Sequence, residues 1–131
     1  MPPRMTAKIL LVDDSTTTLL MEETLLKHHG KYDVVTAQDG REAVAKAIAE
    51  NPDLILLDIV MPKMNGFEAC REMRRQKHLK MVPIILVTSR GEPENVEAGF
   101  ECGCSDYLTK PIKPGELLEL VDGYLSGLRA R

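Results

Sequence analysis

Short apolar runs alternate along this chain with longer segments whose apolar residues recur at helical spacing. The runs are Lys8 to Val12, Tyr32 to Thr36, Asp53 to Leu57, Pro83 to Thr88 and Tyr107 to Leu108. Three of them contain stretches apolar at every position: Ile9-Leu10-Leu11-Val12, Leu54-Ile55-Leu56-Leu57 and Ile84-Ile85-Leu86-Val87. Continuous rather than alternating apolarity predicts strands buried on both faces, as in a parallel sheet covered by helices. Between the runs, Ala43, Val44, Ala47 and Ile48, and again Leu117, Leu118, Val121 and Leu125, trace one helical stripe each. Stop signals punctuate the pattern, with Gly30 closing the first helical segment, Asn51-Pro52 the second and Gly103 the fourth. Five such strand-helix units predict a doubly wound α/β domain over residues 7–125, with 1–6 and 126–131 as loose ends.

In the first helix the apolar stripe is expected at Met21, Leu25 and Leu26, with Leu19 at its margin and Leu20 on the opposite side. Cys70 is spaced to join the core with Phe67 and Met73. Arg71, Arg74, Arg75, Lys77 and Lys80 read as a solvated basic face, and Glu92, Glu94, Glu97, Glu101 and Asp106 as an acidic one.

Composition narrows the class. With 131 residues, 44% apolar and 28% charged, the chain reads as one globular domain large enough for its own core. Seventeen basic against 20 acidic residues give −3, which argues against a general affinity for nucleic acid. No apolar stretch approaches the roughly 20 residues of a membrane span. Three cysteines are too few for a disulfide scaffold, and the absence of a leader pattern adds to an expected cytoplasmic location.

In a doubly wound sheet, chemistry collects at the carboxyl ends of the strands. There the sequence places Asp13-Asp14, Asp58, Thr88-Ser89 and Thr109-Lys110-Pro111. Three carboxylates in one crevice repel one another unless a cation joins them, and oxygen ligands with an open geometry suit Mg²⁺. A carboxylate is also a nucleophile toward phosphorus when the charge on the phosphoryl oxygens is neutralised, and Asp58, at the end of the central apolar strand, is placed for it. Each residue alone could be a cap or turn; the joint placement is what carries the reading.

Ile9-Leu10-Leu11-Val12-Asp13-Asp14-Ser15, Asp58-Ile59-Val60-Met61-Pro62-Lys63-Met64-Asn65-Gly66 and Tyr107-Leu108-Thr109-Lys110-Pro111-Ile112 resemble, in order and spacing, the response-regulator receiver domains of the CheY-like family. The resemblance implies a five-stranded parallel sheet of order 2-1-3-4-5 and a phosphorylation-dependent switch. It implies phosphoryl transfer to Asp58 from a phosphohistidine on a sensor kinase or phosphotransfer protein. It further implies Mg²⁺ held by Asp13, Asp14, Asp58 and the Val60 backbone carbonyl. Lys110 and Thr88, with Ser89 beside it, would contact the phosphoryl group, and Tyr107 would change rotamer with it. The surface of the fourth helical segment, fifth strand and last helix would then bind a protein target, in chemotaxis or motility control or as a relay intermediate. A monomer or a phosphorylation-linked dimer is implied, as is a cis Lys110-Pro111 peptide. In the family the first helix docks the donor, which nominates Leu20 and Leu19. Val60 departs from the polar residue many members carry there and predicts a long-lived phosphorylated form.

Two other classes compete. An aspartate-nucleophile phosphohydrolase would carry Asp-x-Asp after the first strand, and a flavodoxin-like carrier would need aromatics that are scarce here. A switch rather than an enzyme is therefore expected.

Overall fold

The computed structural model describes residues 6–89 and 101–129. Five strands, β1 (Lys8–Val12), β2 (Asp33–Ala37), β3 (Leu54–Asp58), β4 (Ile84–Ser89) and β5 (Asp106–Lys110), form one parallel sheet in the order β2-β1-β3-β4-β5. The helices are α1 (Thr16–Leu25), α2 (Gly40–Glu50), α3 (Gly66–Arg74) and a C-terminal helix, Pro114–Arg129.

The all-apolar runs become the sheet interior because each residue finds a helix on its own side. Leu10, Val12, Ile55, Leu57, Ile84 and Leu86 pack beneath α2 and α3, while Ile9, Leu11, Leu54, Leu56, Ile85 and Val87 pack beneath α1 and the C-terminal helix. Each such side chain, when fully buried, contributes about 1.5–3 kcal/mol. Register brings Val12 beside Leu57 and Asp58 beside Val87, so the carboxyl ends of β1, β3 and β4 finish at one level.

Local chemistry fixes the helix starts. Ser15 caps α1 by accepting from the Thr18 N–H at 3.2 Å, and Asp39 caps α2 through the Glu42 N–H at 2.8 Å. Asn65 and Glu68 form a reciprocal capping box at the start of α3. Asn51 ends α2 in the left-handed region, φ 51°, as its stop signal predicts. After α1 a single π-helical turn runs over Leu26–Gly30, and the left-handed residue is Lys31 rather than Gly30. Gly30 serves a different need, since a Cβ there would come 2.5 Å from the Tyr32 ring.

Two expectations are corrected. In α1 the inward stripe is Leu19, Glu22 and Leu26, whereas Met21 is 67% exposed beside Leu20 at 65%. Spacing of three and four from Leu19 through Glu22 to Leu26 defines that stripe, and the polar Glu22 hid it. Leu19 is therefore core and leaves Leu20 alone of the pair at the surface. Arg74 is not on a solvated face: its guanidinium donates to the carbonyls of Gly103, Leu79 and Val82 at 2.8, 2.7 and 2.6 Å and to Ser105 Oγ at 3.2 Å. The C-terminal helix runs past Leu125 to Arg129, and the Thr6 hydroxyl donates to Asp33 Oδ2 at 2.8 Å. Glu92, Glu94 and Glu97 of the expected acidic face lie outside the described residues, as do Met1 to Met5, Ala130 and Arg131.

Candidate phosphoacceptor and metal site

Asp13 follows β1 and Asp58 closes β3, and both are buried, while Asp14 is exposed beside them. One carboxylate oxygen from each of the three lies within 4.8 Å of the others. Backbone groups hold the two buried ones in place. The Ser15 N–H donates to Asp13 Oδ1 at 2.9 Å and the Val60 N–H to Asp58 Oδ1 at 3.3 Å. Opposite them, Lys110 at the end of β5 sets its Nζ 3.0 Å from Asp58 Oδ2 and 3.8 Å from Asp13 Oδ2. Thr88 is buried on β4 one residue beyond the Val87 that pairs with Asp58, and it faces Thr109 in register. Ser89 ends the strand opposite Lys110; its side chain lies outside the described residues.

Among the described residues, the pocket is short of positive charge. Burial, reinforced by Asp58 and Asp14, pushes the Asp13 carboxyl above the ordinary aspartate value despite the Ser15 N–H and Lys110. For Lys110, burial opposes the charged form, yet the hydrogen bond and charge of Asp58 and the charges of Asp13 and Asp14 outweigh it and hold the ammonium above its usual value. Three carboxylates facing one ammonium make an oxygen donor set with net negative charge, which fits a hard divalent cation.

The loop after β3 is held from two sides. A Cβ on Gly66 would come 2.5 Å from the Asp58 carbonyl oxygen, and one on Gly40 would come 2.0 Å from the Met64 carbonyl oxygen. Both positions require glycine because backbone approaches backbone there. Val60 projects from this loop and is 72% exposed.

A family model for the response regulator receiver domain matches residues 9–122. The chain belongs to the response-regulator receiver family. Among curated relatives, it is 39% identical over 121 residues to Protein PilH of Pseudomonas aeruginosa, covering 92% of this chain and 99% of PilH. It is 44% identical over 113 residues to the alkaline phosphatase synthesis transcriptional regulatory protein PhoP of Bacillus subtilis, covering 86% of this chain and 46% of PhoP. The receiver chain thus spans about half the length of PhoP and nearly all of PilH. Among solved structures, the chemotaxis protein CheY4 of Vibrio cholerae superposes with a TM-score of 0.86 at 40% identity, covering 92% of this chain and 99% of that one. The receiver domain of the sensor histidine kinase PA1611 of P. aeruginosa, solved with a magnesium ion coordinated in its active site cleft, gives 0.85 at 34% identity, covering 92% and 98%. Receivers of this kind are signalling switches of two-component systems, and the strand order 2-1-3-4-5 is theirs.

The remaining nominated residues fall in two places on this receiver. Tyr107 is partly exposed and, with Leu108, Leu120 and Tyr124, lines a groove of about 440 Å³ against the C-terminal helix. The Tyr124 hydroxyl donates to Asp106 at 3.1 Å. Leu20 lines a second groove, shared with Lys110 and Pro111, and the Lys110-Pro111 peptide is cis. Of the cysteines, Cys70 and Cys102 are buried, and the neighbouring Cys102 thiol together with burial pushes the Cys70 thiol up. Among the described residues, the acidic triad is the one group placed to hold a metal ion, and no helix is long and apolar enough to cross a membrane.

Glu22 escaped the sequence reading. It lies on the inward face of α1, and burial, with Asp13 and Asp58 adding repulsion, raises its carboxyl to about 7. A polar residue interrupting an otherwise apolar 3-4 spacing was the available signal.

Proposed function

We propose that Asp58 accepts a phosphoryl group from a phosphohistidine of a sensor kinase or phosphotransfer protein, and that the resulting charge resets the surface around β5. The observation that carries this reading is the Asp58 carboxylate set 3.0 Å from the Lys110 ammonium within a triad of carboxylates. An Asp58 oxygen forms a bond to phosphorus as the phosphorus–nitrogen bond of the donor breaks, and the departing imidazole nitrogen takes up a proton. The acyl phosphate brings up to about two negative charges into the pocket.

Asp13, Asp14, Asp58 and the Val60 carbonyl would hold Mg²⁺, which when bound neutralises charge on the phosphoryl oxygens. Lys110 offers its ammonium to those oxygens, and the Thr88 hydroxyl is drawn toward them. Displacing Thr88 opens space beside Tyr107, whose inward rotation reshapes the groove against the C-terminal helix. A protein target in chemotaxis or motility control, or the next member of a relay, then reads that surface. The chemotaxis protein CheY4 supports the motility reading through its similarity over nearly the whole chain. We take residues 7–125 as the domain that performs this switch in the cytoplasm, as a monomer or a dimer linked to phosphorylation.

Incubation with Mg²⁺ and acetyl phosphate should give one acid-stable, base-labile adduct at Asp58 by mass spectrometry. Sustained release of phosphate from unrelated phosphate esters, with no adduct, would overturn the proposal in favour of a hydrolase.

A further inference from the structure

Three reduced cysteines meet where α3 runs past the segment that leads into β5, and the phosphoacceptor site uses none of them. α3 faces that segment at two positions one helical turn apart. Cys70 Sγ lies 3.4 Å from the Cys102 carbonyl oxygen, and Arg74, four residues on, donates to the Gly103 carbonyl at 2.8 Å. Gly103 has a left-handed φ of 96°, and a Cβ there would come 3.1 Å from Arg74 Cγ. The guanidinium thus pins the segment against α3 and holds Cys70 and Cys102 side by side, both buried.

Buried thiols are ordinarily inert packing. This pair differs in how its protons are shared. The Cys70 thiol hydrogen-bonds to the Cys102 sulfur, the Cys104 N–H donates to that sulfur, and the Arg71 charge favours its anion. Against burial, these hold the Cys102 thiol down at about 7. The same hydrogen bond, together with burial, leaves the proton on Cys70. Cys104 is half-buried, and burial with the charges of Cys102 and Asp106 pushes its thiol up to about 11. One sulfur is therefore a nucleophile, its neighbour stands ready to displace whatever the first acquires, and the third keeps its proton.

We propose that Cys102 is an oxidation site for a small peroxide, and that Cys70 closes it as a reversible disulfide between α3 and the segment entering β5. With hydrogen peroxide, the Cys102 thiolate attacks one oxygen and the O–O bond breaks. The departing hydroxide takes up the proton that the thiol gave away, which leaves water and a sulfenic acid on Cys102. The Cys70 sulfur then attacks the Cys102 sulfur, the S–O bond breaks, and the second hydroxide leaves as water with the Cys70 proton. The two thiols lose two electrons between them, and one hydrogen peroxide is reduced to two waters. This chemistry does not depend on phosphoryl transfer to Asp58.

In the test, the reduced, folded chain is treated with hydrogen peroxide, remaining thiols are capped with N-ethylmaleimide, and the digest is mapped by mass spectrometry. One cross-linked peptide pair should join Cys70 to Cys102, with Cys104 capped, and dithiothreitol should restore both thiols. At pH 7 the bridge should form about tenfold faster than hydrogen peroxide oxidises free glutathione, because more of the sulfur is thiolate. Cys70→Ala should stop at the sulfenic acid, trapped on Cys102 by dimedone, and Cys104→Ala should form the bridge as the wild type does.

Oxidation that falls first on Cys104, a bridge from Cys104 to either partner, a covalent dimer, or a rate no higher than that of glutathione would each overturn the proposal. So would thiols that stay reduced until the chain is unfolded, or a folded Cys70→Ala that dimedone does not label. The wild-type map and rate need no substitution, so they decide the matter even where Cys70→Ala fails to fold, which circular dichroism checks.

Discussion

The two ends of the sheet handle buried charge in opposite ways. At the carboxyl ends of the strands, Asp13, Asp14 and Asp58 crowd together against the ammonium of Lys110. At the amino ends, the Arg74 guanidinium is met by three backbone carbonyls and a hydroxyl, joining the 3₁₀ turn Lys77–Leu79, the entry to β4 and the turn before β5. With four of its five N–H donors engaged in this way, the guanidinium holds the fold. Carboxylates left short of cations oppose the fold and hold chemistry. The same residue classes thus divide into structural and functional according to whether their partners lie inside the molecule or must come from outside.

The sharpest break of this comparison is Asp58→Ala, which should abolish acetyl phosphate labelling entirely while raising the midpoint of thermal unfolding in metal-free buffer, because it removes repulsion. Loss of stability on that substitution would refute the idea that the pocket is strained by like charge. Next comes Arg74→Ala, which should cost roughly 3–5 kcal/mol in denaturant unfolding, since it strips partners from several part-buried carbonyls. Asp58 labelling should remain intact at temperatures where that variant is folded.

Third is the pH dependence of Glu22. Its folded-state value of about 7 lies above its ordinary 4.5, so the folded chain holds this proton more tightly than the unfolded one. The stabilisation is fully present below pH 4.5 and is lost as pH rises through about 7. At about 1.4 kcal/mol per unit, the decline is at most about 3.5 kcal/mol. Glu22→Gln should flatten the stability-versus-pH curve over that window in metal-free buffer; an unchanged slope would remove Glu22 from the account. Smallest of the four is Val60→Asn, which should leave stability unchanged and shorten the lifetime of phosphorylated Asp58 several-fold, followed by adduct decay.

Much of this architecture was legible because burial on both faces of a parallel sheet leaves runs such as Leu54 to Leu57 with no polar position. The same runs located the strand ends and hence the triad. Asn65-x-x-Glu68 carries the capping-box signature of the start of α3. Arg74 was not legible, because its acceptors are backbone carbonyls assembled by the tertiary fold from residues 79 to 105. Glu22 was hidden for a related reason: hydrophobic periodicity counts a carboxyl as an outward position, and here the helix turns it inward. Met21, read as core, was displaced by that same rotation. In both cases the misread charge marks a place where the fold departs from simple partition by polarity.

Finally, the loop carrying Val60 is clamped from behind and open in front. Gly40 and Gly66 leave no room for even a methyl group between the loop and the elements it rests on, whereas Val60 meets solvent. Substitution behind the loop would distort the bearing on which Asp58 is mounted; substitution in front only changes what stands beside it. Under the proposed function, then, a change at Val60 would alter how long the Asp58 adduct lasts, as an adjustable timer, and a change at Gly40 or Gly66 would damage the part that starts it.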